Sequence, residues 1–287
     1  MTTASPVSST ALQQVWDAEF LGRSPMFQPL QAVGRKLAGQ RSNWPALKDY
    51  QALLDNQPVA TASGHPLRFV PQNPSPGEFT ERYEPRIYLT GEAQTRLENW
   101  HDLFNALVWL TFPLSKAALN ARHHMAQVQA MGADQKPHRS ATQDSLTLFD
   151  ESGVIVACSD EELSGLLQGR KWKELFWNRR HELPNAMGFF LFGHSLYEKA
   201  LHPYSGMTGK SLIVPVTANF FEQSLATQIS ELDSSIAERL GTPESFQSPK
   251  ELAPLPVLGV PGWTPDNAAA TYYEDTRYFR PAPTMPR

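Results

Sequence analysis

The stretch NWHDLFNALVW, residues 99–109, constrains the fold more than any other part of the chain. Wound as a helix at about 100° per residue, it places His101, Asn105 and Asp102 at roughly 0°, 40° and 100°, on one face near the N-terminal end. Leu103, Phe104, Leu107, Val108, Trp109, Leu110 and Phe112 take the remaining directions. No face is left for solvent, so the segment is expected as a central buried helix whose polar stripe finds its partners inside the protein. Asn99 followed by Asp102 resembles a capping box with Asp in place of Glu or Gln, which accounts for Asp102 and leaves Asn105 unexplained.

Pro113 suits the first turn of a second helix and Gly132 its end. Between them Leu114, Ala118, Ala121, Met125 and Val128 form an apolar stripe, and Lys116, Asn120, His123, His124 and Gln127 a polar one. The short turn at Phe112 and Pro113 predicts an antiparallel hairpin that brings His123 toward His101, whereas a lone helix would turn the polar stripe to water. The run DSLTLFDESGVIVACS (144–159) reads as strand, turn and strand, with Asp150 and Glu151 at the turn, a position that by itself explains Glu151. In FFLFGHSLYEK, His194 and Glu198 stand one helical turn apart and Gly193 permits close backbone approach. That spacing lets both bind one metal, or lets the carboxylate orient the imidazole that does.

The rest of the chain sets the architecture. TALQQVWDAEFLGR and NWPALKDYQALLDN predict a helical lead-in over residues 1–60. Strand-like runs (LRFVPQ, YEPRIYLTG, SLIVPV) mixed with helical ones predict an α+β core over 61–240, and a proline- and aromatic-rich segment over 241–287 lacks either period. Trp263, Tyr272, Tyr273, Tyr278 and Phe279 are costly to leave in water, so this last segment is expected to wrap the core as an extended arm. The expected fold class is therefore α+β: a mainly helical single domain with a small, mostly antiparallel sheet.

Composition excludes more than it assigns. The net charge of −4 supplies no basic field for nucleic acid. No apolar run is long enough to cross a membrane. The single cysteine, Cys158, rules out an intramolecular disulfide framework and any multi-thiolate zinc site and suits a reducing compartment, so a cytoplasmic location is expected by exclusion. GMTGKS at 206–211 ends like a phosphate-binding loop, but Tyr204 stands where the first glycine belongs and the order is helix to strand, so it reads as a glycine turn.

Taken in order, RFVPQ, YEPRIYLTGEAQTR, NWHDLFNALVWLTFPLSKAALNARH, DSLTLFDESG, FGHSLYEK and VPGWTPDN with YFRP resemble a bacterial family catalogued only as a domain of unknown function, over roughly residues 65–281. The resemblance implies that His101, Asp102, Asn105, Lys116, Asn120, His123, Asp144, Asp150, Glu151, His194 and Glu198 occupy family-motif positions, and it implies no reaction. Two classes of function follow from the residues. In one, a divalent metal (Zn, Mn or Fe) is held from among His101, Asp102, His123, His194 and Glu198. Asp150, Lys116 and Asn105 then serve the hydrolysis of a small-molecule substrate. The His-Asp dipeptide is similar to that of the helical HD phosphohydrolases, which need a further upstream helical histidine; the only earlier one, His65, precedes a proline in a strand-like segment. In the other class the same groups are a structural network in a binding or assembly module.

Overall fold

A computed structural model describes residues 14–39, 41–73, 77–131 and 140–283. Two 3₁₀ turns, Phe20–Gly22 and Pro25–Leu30, lead into α1 (Gln31–Ala38) and α2 (Leu47–Asn56). Then come β1 (Arg68–Pro71), α3 (Tyr83–Thr90), β2 (Glu92–Thr95), α4 (Trp100–Thr111), α5 (Pro113–Met131) and α6 (Ala141–Ser152). β3 (Gly153–Cys158), α7 (Glu161–Gln168), α8 (Leu183–Ala186), β4 (Met187–Leu191) and α9 (His194–Ala200) follow, and β5 (Thr208–Pro215), α10 (Leu225–Gly241) and β6 (Ala253–Pro256) complete the order. None of the described helices is long and apolar enough to cross a membrane.

α4 lies in the middle, as its composition requires. Leu103, Phe104, Leu107 and Val108 are fully buried, and Asn99 starts the helix by accepting the Asp102 N–H at 3.0 Å. The N-terminal segment seals one side: Phe27 stacks on Phe104 at 5.7 Å and on Tyr197 of α9 at 6.0 Å. The helix predicted around TALQQVWDAEFLGR is, from Phe20 on, a single 3₁₀ turn. Its first residues, up to Leu12 and Gln13, lie outside the described residues, as do the rest of 1–13, the helix stop at Gly132 and residues 284–287 of the arm.

The main sheet runs β4-β3-β5-β6. β3 pairs antiparallel with β4 and parallel with β5, and β5 pairs antiparallel with β6. A separate β1–β2 pair is parallel. The four-stranded sheet is therefore mixed but mostly antiparallel, as expected, with two of its three pairings antiparallel. GVIVAC forms a central strand buried at every position, as its unbroken apolar run allows.

Two segments with strand-like composition are helices. Residues 141–152 wind as α6 because Ser140 and Gln143 close a reciprocal capping box and because Ser145, Leu146, Phe149 and Asp150 share a buried face at helical spacing. The alternation in SLTLF fits period two equally well, so the cap decides. YEPRIYLTG forms α3, with Pro85 in its first turn and Gly91 in the left-handed conformation just past its end.

α5 is turned the opposite way from most amphipathic helices. Leu114, Met125 and Val128 are about half exposed, while Lys116, Asn120 and His123 are buried. Two anchors fix this rotation. The Asp233 carboxylate of α10 accepts the Leu114 and Ser115 N–H groups at 3.0 and 2.7 Å, and the Arg122 guanidinium donates to the carbonyls of Leu240, Thr242 and Ser245.

The C-terminal segment returns along the sheet as short 3₁₀ turns linked by extended chain. Tyr273, Tyr278 and Phe279 are buried in it, and Trp263 packs against the core at its edge.

Candidate metal centre

Three elements deliver the central residues. α4 supplies His101, the C-terminal end of α6 supplies Asp150 and Glu151, and α9 opens with His194 and carries Glu198 one turn later. Glycine lets the last two elements touch: a β-carbon on Gly193 would lie 2.5 to 2.6 Å from backbone atoms of Glu151, Ser152 and Gly153. Only glycine fits there, and the close approach sets His194 beside the acidic pair.

His101 and His194 face each other with Nε2 atoms 3.0 Å apart. His194 Nε2 is 3.6 Å from Glu151 Oε2. One ligand atom from each of His101, Glu151 and His194 falls within 4.8 Å of the others, which makes them the group able to share an ion among the described residues. Two imidazole nitrogens each about 2.1 Å from one ion, at angles between roughly 90° and 109°, would stand about 3.0 to 3.4 Å apart, so the observed pair already has a ligand spacing. Behind the pair, His101 Nδ1 lies 3.1 Å from Glu198 Oε2. A carboxylate there requires the proton on Nδ1 and leaves the Nε2 lone pair directed at His194 and Glu151. His194 Nδ1 faces Asp150, 3.8 Å from Oδ2.

Electrostatics follow from this arrangement. Burial pushes His194 down to about 4, so its ring is neutral near pH 7. The hydrogen bond to Glu198 raises His101 and, reciprocally, lowers Glu198. Burial, helped by the Asp150 charge, raises Glu151. Burial works in the same direction on Asp150, but the Lys116 ammonium and the neighbouring imidazoles carry it net below the usual carboxylate range.

A second line of contacts runs from Asp150 along α5 and α4 to α3. Lys116 Nζ, 2% exposed as a side chain, donates to Asp150 Oδ1 at 2.5 Å and to Asn105 Oδ1 at 3.0 Å. The Asn105 amide in turn donates to the Tyr83 hydroxyl at 2.5 Å. Asn120 donates to the Glu84 carboxylate at 2.6 Å and to its carbonyl at 3.0 Å, which fixes α3 on α5. Of these groups Tyr83, Glu84, Asn105 and Asp150 line an open cleft of about 330 Å³ with His101, Glu151 and His194 in its wall.

The residues expected from sequence therefore divide. His101, Asp102, Asn105, His123, Asp150 and His194 line one cleft, and Lys116 and Glu198 bond directly to members of that wall. Within it, Asp102 is held by the Arg96 guanidinium, at 2.7 and 3.0 Å, and by the Arg96 N–H. Asp102, His123 and Glu198 stand outside the group that can share an ion. Of the two adjacent histidines, His123 is buried against the cleft, and His124 stacks on Tyr88 with ring centroids 4.2 Å apart. Asp144 sits in the first turn of α6. Reading 144–151 as a strand ending in a turn concealed Glu151, because at a hairpin turn it would have pointed to solvent. Tyr83, Glu84 and Arg96 lie in the motif YEPRIYLTGEAQTR, but nothing in it singled them out, since each becomes relevant only through contacts between distant segments.

The fold and site define a mainly helical α+β protein with a histidine and carboxylate cluster in an open polar cleft. Residues 67–283 match the family described as a protein of unknown function (DUF3025), and the chain belongs to that family. No curated protein and no solved structure matches it.

Proposed function

We propose that this protein is a metal-dependent hydrolase whose divalent ion is bound by His101 Nε2, His194 Nε2 and the Glu151 carboxylate. The observation that carries the reading is the pair of imidazole nitrogens 3.0 Å apart beside the Glu151 oxygen, with Glu198 holding the far side of His101. Two imidazoles and one carboxylate with an open position suit zinc, manganese or iron, and a bound ion would lower the pKa of a water molecule to near neutrality for attack on a small-molecule substrate. Glu198 and Asp150 then act as positioning residues behind the two histidines. Lys116 balances Asp150, and Asn105 links that pair to Tyr83 at the cleft wall. Glu151 also supports a cation: it is raised by burial beside another carboxylate, a cost that a bound ion removes.

The competing reading, a structural network in a binding module, gains support from the direct hydrogen bond that the two histidines make without an ion. Elemental analysis of tag-free protein, followed by thermal melts with zinc, manganese or iron(II) and with chelator, separates the two. The hydrolase reading expects near-stoichiometric metal, a melting temperature lowered by chelator, and loss of metal with retained helical signal in His194→Ala and Glu151→Gln. Protein that is metal-free after gentle purification and indifferent to all three ions and to chelator leaves only the network.

A further inference from the structure

A basic concavity lies away from the histidine cluster, where β6 ends and exposes the edge of β5. Its volume is about 780 Å³, and it is bounded by the turn after α7, by α10 and by the segment around Lys250. Four cations line it, Arg170, Lys210, Arg239 and Lys250, against one acid, Glu251. The Glu251 carboxylate accepts the N–H groups of Phe246 and Ser248 at 2.8 and 3.0 Å, so it is committed to its own loop. Among the described residues none of the four cations makes an ion pair, and Arg239 is positioned by donating to the Ile213 carbonyl of the open β5 edge at 3.2 Å. A chain of net charge −4 thus gathers four positive charges against a single negative one in this cleft.

The backbone at Arg170 gives an independent sign. α7 ends in a Schellman turn: the Lys171 N–H bonds the Leu166 carbonyl at 2.9 Å and the Arg170 N–H bonds the Leu167 carbonyl at 3.0 Å. That turn needs a left-handed residue, and Arg170 fills the place at φ 52 where glycine is the unstrained choice. A left-handed arginine that faces a cleft points to a role for its side chain.

We propose that this cleft binds a small organic polyanion carrying two or more phosphate or carboxylate groups. Arg170 and Arg239 supply planar forks for the anionic oxygens and Lys210 and Lys250 supply point charges. The β5 and β6 edge contributes Leu212, Ile213 and Pro254 as an apolar floor for an aliphatic body. Among the described residues no aromatic ring lines the cleft, so a stacked nucleobase has no platform and a sugar phosphate or an oligocarboxylate fits better than a nucleotide.

Isothermal titration of the full chain with inorganic pyrophosphate and, separately, with citrate, at fixed ionic strength, tests the site. The expected result is saturable one-site binding of at least one probe, the tighter of the two identifying phosphate or carboxylate. Arg170→Gly and Lys210→Gln should each weaken that binding by about tenfold, the worth of one charge-assisted contact. Arg170→Gly relieves the left-handed strain, so its melting temperature should hold or rise and misfolding cannot explain the loss. His194→Ala should bind the anion as wild type does, which separates failure here from failure of the metal reading. Absent binding, undiminished binding in both cleft variants, or loss of binding in His194→Ala would overturn the proposal.

Discussion

Two of the regions in which this molecule buries polar atoms satisfy them in opposite ways. In the C-terminal segment side chains bond to main chain. Tyr278 donates to the Met207 carbonyl at 2.6 Å and accepts the Leu258 N–H at 2.9 Å, Tyr273 donates to the Gly259 carbonyl at 3.0 Å, and Asn267 donates to the carbonyls of Leu258 and Val260. In the cleft, side chains meet side chains: His101 with His194 and Glu198, and Lys116 with Asp150 and Asn105. The first pattern is what a chain without regular structure needs in order to bury its backbone. The second costs desolvation of several charges and adds little net stability. Burial of polar groups is therefore no sign of function by itself; what distinguishes the cleft is that its groups are ionisable and turned toward one another.

The comparison breaks most visibly in the aromatic clasp. Phe279 is buried among Tyr272, Tyr273 and Tyr278, with ring centroids 4.8 to 5.3 Å away. Phe279→Ala should cost about 4 kcal/mol in denaturant unfolding, while the metal binding proposed for the cleft stays as in wild type. A loss below about 1 kcal/mol would mean that the segment is not integral to the core, and a loss of zinc affinity would mean that the two regions are coupled. In the cleft, Lys116→Met strands a buried Asp150 and should cost about 3 kcal/mol, whereas the double variant with Asp150→Leu should recover most of that loss. If the double variant is as unstable as the single one, the pair contributes through more than mutual compensation, and the contrast between stabilising and costly networks fails.

Much of this division was legible in the sequence, and the reasons for the remainder are physical. α4 could be read because an all-apolar circumference leaves one arrangement. His101 and His194 followed from it and from the spacing to Glu198. The sealing role of Tyr278 and Phe279 followed from the cost of leaving them in water. Glu151 was hidden because SLTLF satisfies periods of two and 3.6 alike, and the Ser140–Gln143 cap that decides lies outside the run. The inward turn of the polar face of α5 was legible only through the hairpin that brings His123 toward His101; what fixes its rotation was not, because Asp233 lies more than a hundred residues later. Arg96 as the partner of Asp102 was equally invisible, since it depends on how β2 leads into α4.

The smallest effect sharpens the same contrast through pH. Burial raises the Tyr273 phenol to about 12 from its ordinary value of 10. The folded state thus holds the proton more tightly than the unfolded chain does, so this contribution is complete below pH 10 and is lost as pH rises toward 12. By pH 11 the clasp should have given up about 1 kcal/mol through this one group. Unfolding free energy should fall between pH 9 and pH 11 by more than that amount in wild type, because burial raises the Tyr50, Tyr83, Tyr197 and Tyr278 phenols as well. Tyr273→Phe should be less stable at pH 9, for want of the bond to the Gly259 carbonyl, yet show a smaller alkaline decline. An alkaline decline of unchanged size in Tyr273→Phe would assign the effect to other groups, Tyr278 of the same clasp among them.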